Sequence, residues 1–502
     1  MANLFFNYSG EWEDVAQVLR RFPANEILKR IGKEAILLQE TRNGGEIHGA
    51  RWVKYKVLNT RTRTTSEKES IITIWGLIDL AYYTVIASHD YRGNKEIDDS
   101  QFYALVDAVE SMKQKREVEL LEKMPTGTHE FFMYLWGFAG EQFKAETQYE
   151  MLDNAGRELY ILFEIAKKAS NTIDIAGIIE EETGFNWQKI ICTLFLAWVC
   201  STKQSLLDIG SFEFANPDIL TREEYKDILK RYTFNYDEIR KSSKKRQVFY
   251  TKPYIITQKN ELLGISPFLN LCLFEHGLMW IIRDHFRKEN SQKFTDFFGK
   301  CFELYFQELL DYSLEENEYE RIPEGKTPRA DWKLKIDGFQ FLIEQKSSLL
   351  RLDAKQQEPN LDSVKEFANK IIRAIKQLAN TERSYNEGPY FKIILLYDDY
   401  LMPEILDKIF EMDECDVNAD NRYWIVTIAE MERLLSLCKA QRDTFDAIIR
   451  EKNNREQTNS KQGKNLTTIL GSFGISKNLF AEQSSHVYYQ DFAKNQSLRL
   501  LM

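Results

Sequence analysis

The sequence predicts an α+β chain, with an α/β-like second half in which a central mixed sheet is flanked by helices. Three observations carry this expectation. NAGRELYILFEIAKKA (154–169) and WQKIICTLFLAWVC (187–200) show helical apolar spacing or near-complete apolarity, so the N-terminal region reads as mainly helical. Beyond residue 290, strand patterns such as YFKIILLY (390–397) and YWIVTI (423–428) alternate with helical ones, as expected for a mixed sheet with helices on its faces. Between them, Asp337-Gly338 separates two alternating apolar runs, a strong signal for a two-residue hairpin. The expected division is 1–288, mainly helical and serving as an accessory or sensing region; 289–445, built on the sheet; and 446–502, a polar linker and tail.

Composition narrows the function. At 502 residues and 43% apolar content, the chain is globular and long enough for more than one core. Its net charge of −10 means that a polyanion must be held by local basic patches or metal ions. The six cysteines form no C-x-x-C pair and mostly sit in apolar runs, which fits a reducing cytoplasm better than a disulfide framework or zinc ribbon. The opening MANLFFNYSGEWED lacks the basic start and long apolar core of a signal peptide. The longest uncharged apolar run, Ile190 to Thr202, is 13 residues, too short to cross a bilayer, so no membrane partner is expected. There is no internal repeat and no G-x-x-x-x-G-K-[ST] loop, hence no expectation of a nucleotide-driven motor.

In chain order, Tyr254 to Thr257 and Leu262 to Ile265 flank a polar turn, predicting a small hairpin near 250–266. The polar segment RDHFRKENSQK (283–293) marks the expected boundary, and a helix follows over 294–311. A helix over 361–379 places Val364, Phe367, Ala368, Ile371, Ile372, Ile375 and Leu378 on its core face. A further helix is expected from about 403 to 411. REKNNREQTNSKQGKN, near 450–465, reads as a flexible linker, and the last forty residues as a tail that docks or stays mobile.

The hairpin carries the chemistry. A two-residue turn at Asp337-Gly338 sets Ile336 opposite Phe339, Leu334 opposite Phe341 and Trp332 opposite Ile343, giving one apolar face. The other face holds Lys333, Lys335, Gln340 and Leu342, and sets Asp331 against Glu344 with Lys346 on the same side. Directly opposed carboxylates have Cβ atoms about 5 Å apart and repel. A divalent cation relieves this, since Mg²⁺ takes oxygen ligands and keeps several waters. Lys346 alone is the plainer compensator, on an ordinary solvated sheet face.

The stretch RADWKLKIDGFQFLIEQKSS (329–348) resembles the PD-(D/E)XK nuclease superfamily, and the likeness spans roughly 292–437. Asp331 matches the motif's Asp, Glu344 its second acid and Lys346 its Lys; Pro328 lies three residues before Asp331, with Ala330 in the usual Pro place. The resemblance implies a restriction-endonuclease-like domain and metal-dependent phosphodiester hydrolysis. Asp331, Glu344 and Lys346 would be catalytic; Asp331, Glu344, the Gln345 carbonyl and Glu303 would hold Mg²⁺ or Mn²⁺. GKCFELYF (299–306) resembles the family's first helix, in which a Glu approaches the site. The implied substrate is nucleic acid, with DNA favoured over RNA. The implied setting is bacterial antiphage defence or restriction, with a companion defence protein or homo-oligomer as partner.

Each supporting residue also has a plainer reading. Asp296, Lys300, Glu303 and Gln307 form one polar stripe on an apolar helix, solvated or aimed at the metal. Lys365, Asn369, Arg373, Lys376 and Gln377 form the outer face of the 361–379 helix, and Arg373, Lys376 and Gln377 are the candidates for phosphate contact. Arg240, Lys241, Lys244, Lys245 and Arg246 precede Phe249, Tyr250 and Tyr254, a basic and aromatic mixture suited to nucleic acid; a second basic cluster is Arg51, Lys54, Lys56, Arg61 and Arg63. Either cluster is equally a solvated loop. His276 and His285 lack metal-ligand spacing, Asp398-Asp399 reads as a strand-end turn, and DVNADN (416–421) lacks the Gly and Glu of a calcium loop. Two other classes compete with the enzyme: a nuclease-like binding or assembly subunit without activity, and a structural protein whose hairpin charges are incidental.

Overall fold

The computed structural model describes residues 11–40, 50–59, 64–91, 96–122, 131, 134, 151–170, 172–203, 220–242, 245–289, 291–325, 327–347, 360–385, 387–397, 423–458 and 464–485. The chain is a mixed α+β protein with a helical N-terminal region. Helices Trp12–Leu19, Ala24–Glu40, Ile74–Ala87 and Asp99–Leu121 pack on one another, and the last two also contact a two-stranded antiparallel ribbon of β1 (Ala50–Asn59) and β2 (Thr64–Thr73). The apolar run at 187–200 forms the buried helix Trp187–Ser201, started by the Asn186 side chain accepting from the Lys189 N–H. β3 (Thr233–Asn235) lies parallel to β4 (Tyr254–Ile256), which pairs antiparallel with β5 (Leu262–Gly264), the expected small hairpin. No helix among the described residues is long and apolar enough to cross a membrane.

Helices Pro267–Glu289 and Ser291–Ser313 meet within the polar segment expected as a boundary. One cluster of buried apolar side chains runs through both sides of it, from Val15 through Phe274, Phe298 and Trp332 to Phe480. A buried ion pair also crosses: Arg157 Nε and Nη2 lie 2.5 and 2.8 Å from the two Glu432 carboxylate oxygens. Tyr305 and Asn478 donate to the same carboxylate, at 2.6 and 2.5 Å.

The five-stranded sheet has the order β10-β9-β8-β7-β6. Its strands are β6 (Tyr319–Arg321), β7 (Trp332–Ile336), β8 (Phe339–Lys346), β9 (Phe391–Leu396) and β10 (Tyr423–Thr427). β6, β7 and β8 are antiparallel neighbours, whereas β8, β9 and β10 run parallel. The parallel β8–β9 step is connected through the long helix Leu361–Tyr385, as a parallel crossover requires. The β7–β8 turn matches its sequence signal: Asp337 has φ 48° and Gly338 φ 84°, the two positive values of a type I′ turn. The register is the expected one, with Trp332 opposite Ile343 and Ile336 opposite Phe339.

Both faces of this sheet are covered. Trp332, Leu334, Ile336, Phe341 and Ile343 join the large core against the Ser291–Ser313 side. Leu342, Ile394 and Leu396 form a second core with Val364, Phe367, Ala368, Ile371, Ile372, Ile375 and Leu378, so the helix face read from sequence is the one that packs. Lys333 is buried on this face, over the Tyr385 ring at the end of the helix, and reaches Glu387 at 2.9 Å and Glu320 at 3.3 Å.

The linker expectation needs correction. Residues 450–457 belong to the helix Arg442–Gln457, where Lys452 is buried and donates to the Lys464 carbonyl at 2.8 Å. Four-apart pairs, Arg450 with Asp446 and Arg455 with Glu451, let so polar a stretch stay helical. The tail docks through helices Leu466–Ser472 and Leu479–Ser484, with Phe480 against Tyr305 and Tyr312. The expected helix at 403–411, Asp398-Asp399, DVNADN, Arg61, Arg63, Lys244 and Cys415 lie outside the described residues.

Candidate active site

β8 is the middle strand of the five-stranded sheet, and it delivers Glu344 and Lys346 to the side covered by the Leu361–Tyr385 helix. Asp331 stands just before β7. Its N–H donates to the Ile343 carbonyl at 2.9 Å, and its Oδ2 accepts from the Gln345 N–H at 2.7 Å. The side chain therefore reaches over the strand and brackets Glu344, which differs from a plain side-by-side ladder pair. Lys346 Nζ contacts Glu344 Oε1 and lies 3.1 Å from Gln377 Oε1.

Glu344 is 2% exposed, and its Oε2 makes no hydrogen bond meeting normal geometry among the described residues. Burial, followed by the charge of Asp331, pushes its carboxyl up to about 8, against the opposing pull of Lys346 and the nearby Gln377 amide. Asp331 is also raised by burial, while the Gln345 N–H, Lys346 and Arg321 work the other way. Glu344 is thus a buried carboxyl whose ionisation Asp331 opposes and whose second oxygen is orphaned, so the pair could hold a cation. The pair fits a hydrated ion such as Mg²⁺, which needs few protein ligands, rather than an all-protein cage. Among the described residues there is no cluster of three His, Cys, Asp or Glu side chains placed to hold a metal.

The remaining candidates divide. Gln377 reaches the site: its amide accepts from Lys346 and donates to the Arg329 carbonyl at 3.3 Å. Thr381, one turn on, accepts from the Ala330 N–H at 2.8 Å, so this helix fixes the 329–331 segment that carries Asp331. Arg373 and Lys376 are exposed on the same helix. The Gln345 side chain faces away, accepting from Trp332 Nε1 at 2.7 Å and donating to the Phe302 carbonyl at 3.2 Å; its backbone N–H is what serves Asp331. Glu303 is engaged by Arg321 and by Lys300, the latter at 3.2 Å.

Of the expected basic and aromatic patch at 240–254, Arg240, Arg246 and the three aromatic residues are instead structural. Arg246 is buried and donates to Asp79 Oδ2 at 2.6 Å, beside Lys113, so it has no surface to offer a nucleic acid. Arg240 is spent on the Val85 and Ser88 carbonyls, and Phe249, Tyr250 and Tyr254 are core residues. Lys245 opens a short 3₁₀ turn at Lys245–Gln247. In the other basic cluster, Lys54 and Lys56 stand opposite Glu69 and Glu67 across the ribbon, and Arg51 pairs with Glu34. His276 and His285 are held by Glu158 and Glu182, at 3.0 and 2.8 Å.

Arg321 is the site residue that sequence reading missed. It is opposite Trp332 in the ladder and adjacent to Asp331, whose carbonyl accepts from the Ile322 N–H at 2.9 Å. Only a three-residue edge strand places it there, and so short a strand leaves no periodic signal. Comparison with protein-family models, curated proteins and solved structures finds no match for this chain.

Proposed function

We propose that the chain is a metal-dependent nuclease of the PD-(D/E)XK kind, hydrolysing phosphodiester bonds in nucleic acid, with DNA favoured. The observation that carries this reading is buried Glu344 beside the partly buried Asp331, with Glu344 Oε2 unpartnered and Lys346 alongside. Asp331 and the orphaned Glu344 oxygen would hold Mg²⁺ or Mn²⁺. The bound ion would polarise the phosphoryl oxygen and make a water nucleophilic at neutral pH.

The chain's own groups do the rest. Gln345 N–H and the Ala330–Thr381 bond orient Asp331. Gln377 steadies Lys346, whose ammonium group positions the attacking water and offsets charge in the transition state. No side chain needs to form a covalent intermediate. The restriction-endonuclease-like character of the 289–445 region, the sensing role of the helical region, a companion or self-association partner, and a place in bacterial defence or restriction belong to the same proposal and rest on the sequence resemblance.

The second reading, a nuclease-like subunit that binds or assembles without cutting, draws on Glu303, which is held by Arg321 and Lys300 and leaves only two acids converging. Incubation of the full chain with plasmid DNA and with RNA in Mg²⁺, Mn²⁺ or EDTA separates the two. Metal-dependent cutting lost in Lys346→Ala supports the enzyme. Binding without cutting, unchanged by that substitution, supports the subunit.

A further inference from the structure

β8 and β9 stay bonded one step beyond their last ladder pair, Lys346 with Leu396: the Tyr397 N–H donates to the Lys346 carbonyl at 3.1 Å. Alternation then sends the two side chains to opposite faces. Lys346 meets Gln377 of the Leu361–Tyr385 helix, whereas Tyr397 is buried in the large core on the other side. The Tyr397 ring stands edge-on to Phe298 and Phe302 of the Ser291–Ser313 helix, with centroids 4.8 and 5.4 Å away.

The hydroxyl end of that ring faces the charges that join the helical region to the sheet. Burial pushes the hydroxyl well above the ordinary tyrosine range, and the side chains acting on it are Glu158, Arg157, Glu275 and Glu432. Arg157 and Glu158 come from the helix Met151–Tyr160, Glu275 from Pro267–Glu289 and Glu432 from Ile428–Ser436. These charges form one buried knot. Arg157 holds Glu432, while Glu158 accepts from the Met279 N–H at 3.2 Å and lies 3.0 Å from His276 Nδ1. Tyr305, one turn beyond Phe302, donates to Glu432 at 2.6 Å. The hydroxyl of Tyr397 and the helix that clamps its ring therefore lead to the same knot.

We propose that Tyr397 is a positioning residue: it anchors the end of β8 that carries Lys346 to the buried charged knot, so that the helical region governs how firmly that strand end is held. The anchor stands on the contacts themselves; its consequence for cleavage rests on the nuclease reading above. A backbone N–H is common to every residue but proline. Here the clamped ring is what fixes where that N–H points. Loosening the knot frees the strand end, and with it the ammonium group beside Glu344. The helical region thereby acts on the site without touching a substrate.

The test is amide hydrogen exchange of the full chain, read at 344–347 and referred to the Trp187–Ser201 helix as an internal standard. Tyr397→Leu keeps apolar bulk and is expected to speed exchange at 344–347 about tenfold against that standard, whereas Tyr397→Phe keeps the ring and stays within about twofold of the wild type. Arg157→Gln is expected to speed the same amides about three- to tenfold, yet to add less than about twofold in the Tyr397→Leu background, where the link is already cut. If Arg157→Gln does not fold, Tyr305→Phe replaces it, with an effect of about threefold. No change in Tyr397→Leu, or an Arg157→Gln effect of equal size in both backgrounds, overturns the anchor. Steady-state cleavage is expected to show kcat about tenfold lower in Tyr397→Leu with KM kept, and restored in Tyr397→Phe. Faster exchange with no loss of kcat overturns the positioning role. Exchange altered as expected in a chain that cuts nothing keeps the anchor and sinks the nuclease reading; cutting by the wild type with exchange unmoved in Tyr397→Leu sinks the anchor alone.

Discussion

Gln377 Oε1 lies 3.1 Å from Lys346 Nζ, so a helix residue 31 positions later in the chain fixes the ammonium group that β8 sets beside Glu344. The same amide donates to the Arg329 carbonyl. One side chain thereby ties together the base, the segment carrying Asp331 and the helix covering the site.

Replacing Gln377 with Ala removes both bonds at once. The expected loss of stability is only about 1 kcal/mol. On the proposed mechanism, the expected loss of cleavage rate is larger, on the order of ten- to a hundredfold, because displacing the proposed catalytic group costs more in rate than in folding. Unfolding midpoints and single-turnover cleavage, measured on the same preparation, separate the two effects.

The raised Glu344 carboxyl predicts opposite pH trends for binding and stability. Its value is about 8 in the folded chain and near 4.5 when exposed, so between these limits the folded state holds a proton that the unfolded state releases. On this group's account, metal-free stability falls as pH rises from about 4.5 to 8, with a slope approaching about 1.4 kcal/mol per pH unit. Mn²⁺ binding competes with that proton, so affinity rises over the same window and levels off above it. Denaturant melts and Mn²⁺ titrations at pH 6, 7, 8 and 9 check both; affinity independent of pH removes Glu344 from the ligand set.

Arg157 and Glu432 join the helical region to the sheet region through a fully buried pair. Arg157→Ala leaves the Glu432 carboxylate without its guanidinium, and a loss of about 3–5 kcal/mol is expected in denaturant unfolding. Arg157→Ala/Glu432→Leu should recover part of it, because no buried charge remains unpaired.

Arg246 separates the sequence reading from the structural one. A nucleic-acid contact there predicts weaker binding and normal stability in Arg246→Ala. Its buried pair with Asp79 predicts a destabilised protein, by about 1–3 kcal/mol because Lys113 still holds Asp79, with unchanged affinity per folded molecule. Unfolding curves beside a binding assay decide between them.

Legibility followed the physics of each element. The β7–β8 hairpin was readable because a positive-φ turn at Asp337-Gly338 fixes the register, and register then fixes which face each side chain takes. The Leu361–Tyr385 helix was readable because its apolar positions repeat at helical spacing and pack on the sheet. The polar run at 450–457 misled because its charges are paired along one helix and Lys452 is buried, which composition does not convey. Arg246 misled for a similar reason: its partner Asp79 is far away in sequence. Asp331 was placed beside Glu344, but its carboxylate is aimed by a backbone N–H at Gln345, a contact no residue pattern encodes.

The most direct test of the central claim is anomalous diffraction from Mn²⁺-soaked crystals of the full chain. The account predicts one peak about 2.1–2.3 Å from an Asp331 oxygen and from Glu344 Oε2. Clear density for both side chains with no peak between them, or a peak bound only by other residues, would contradict it.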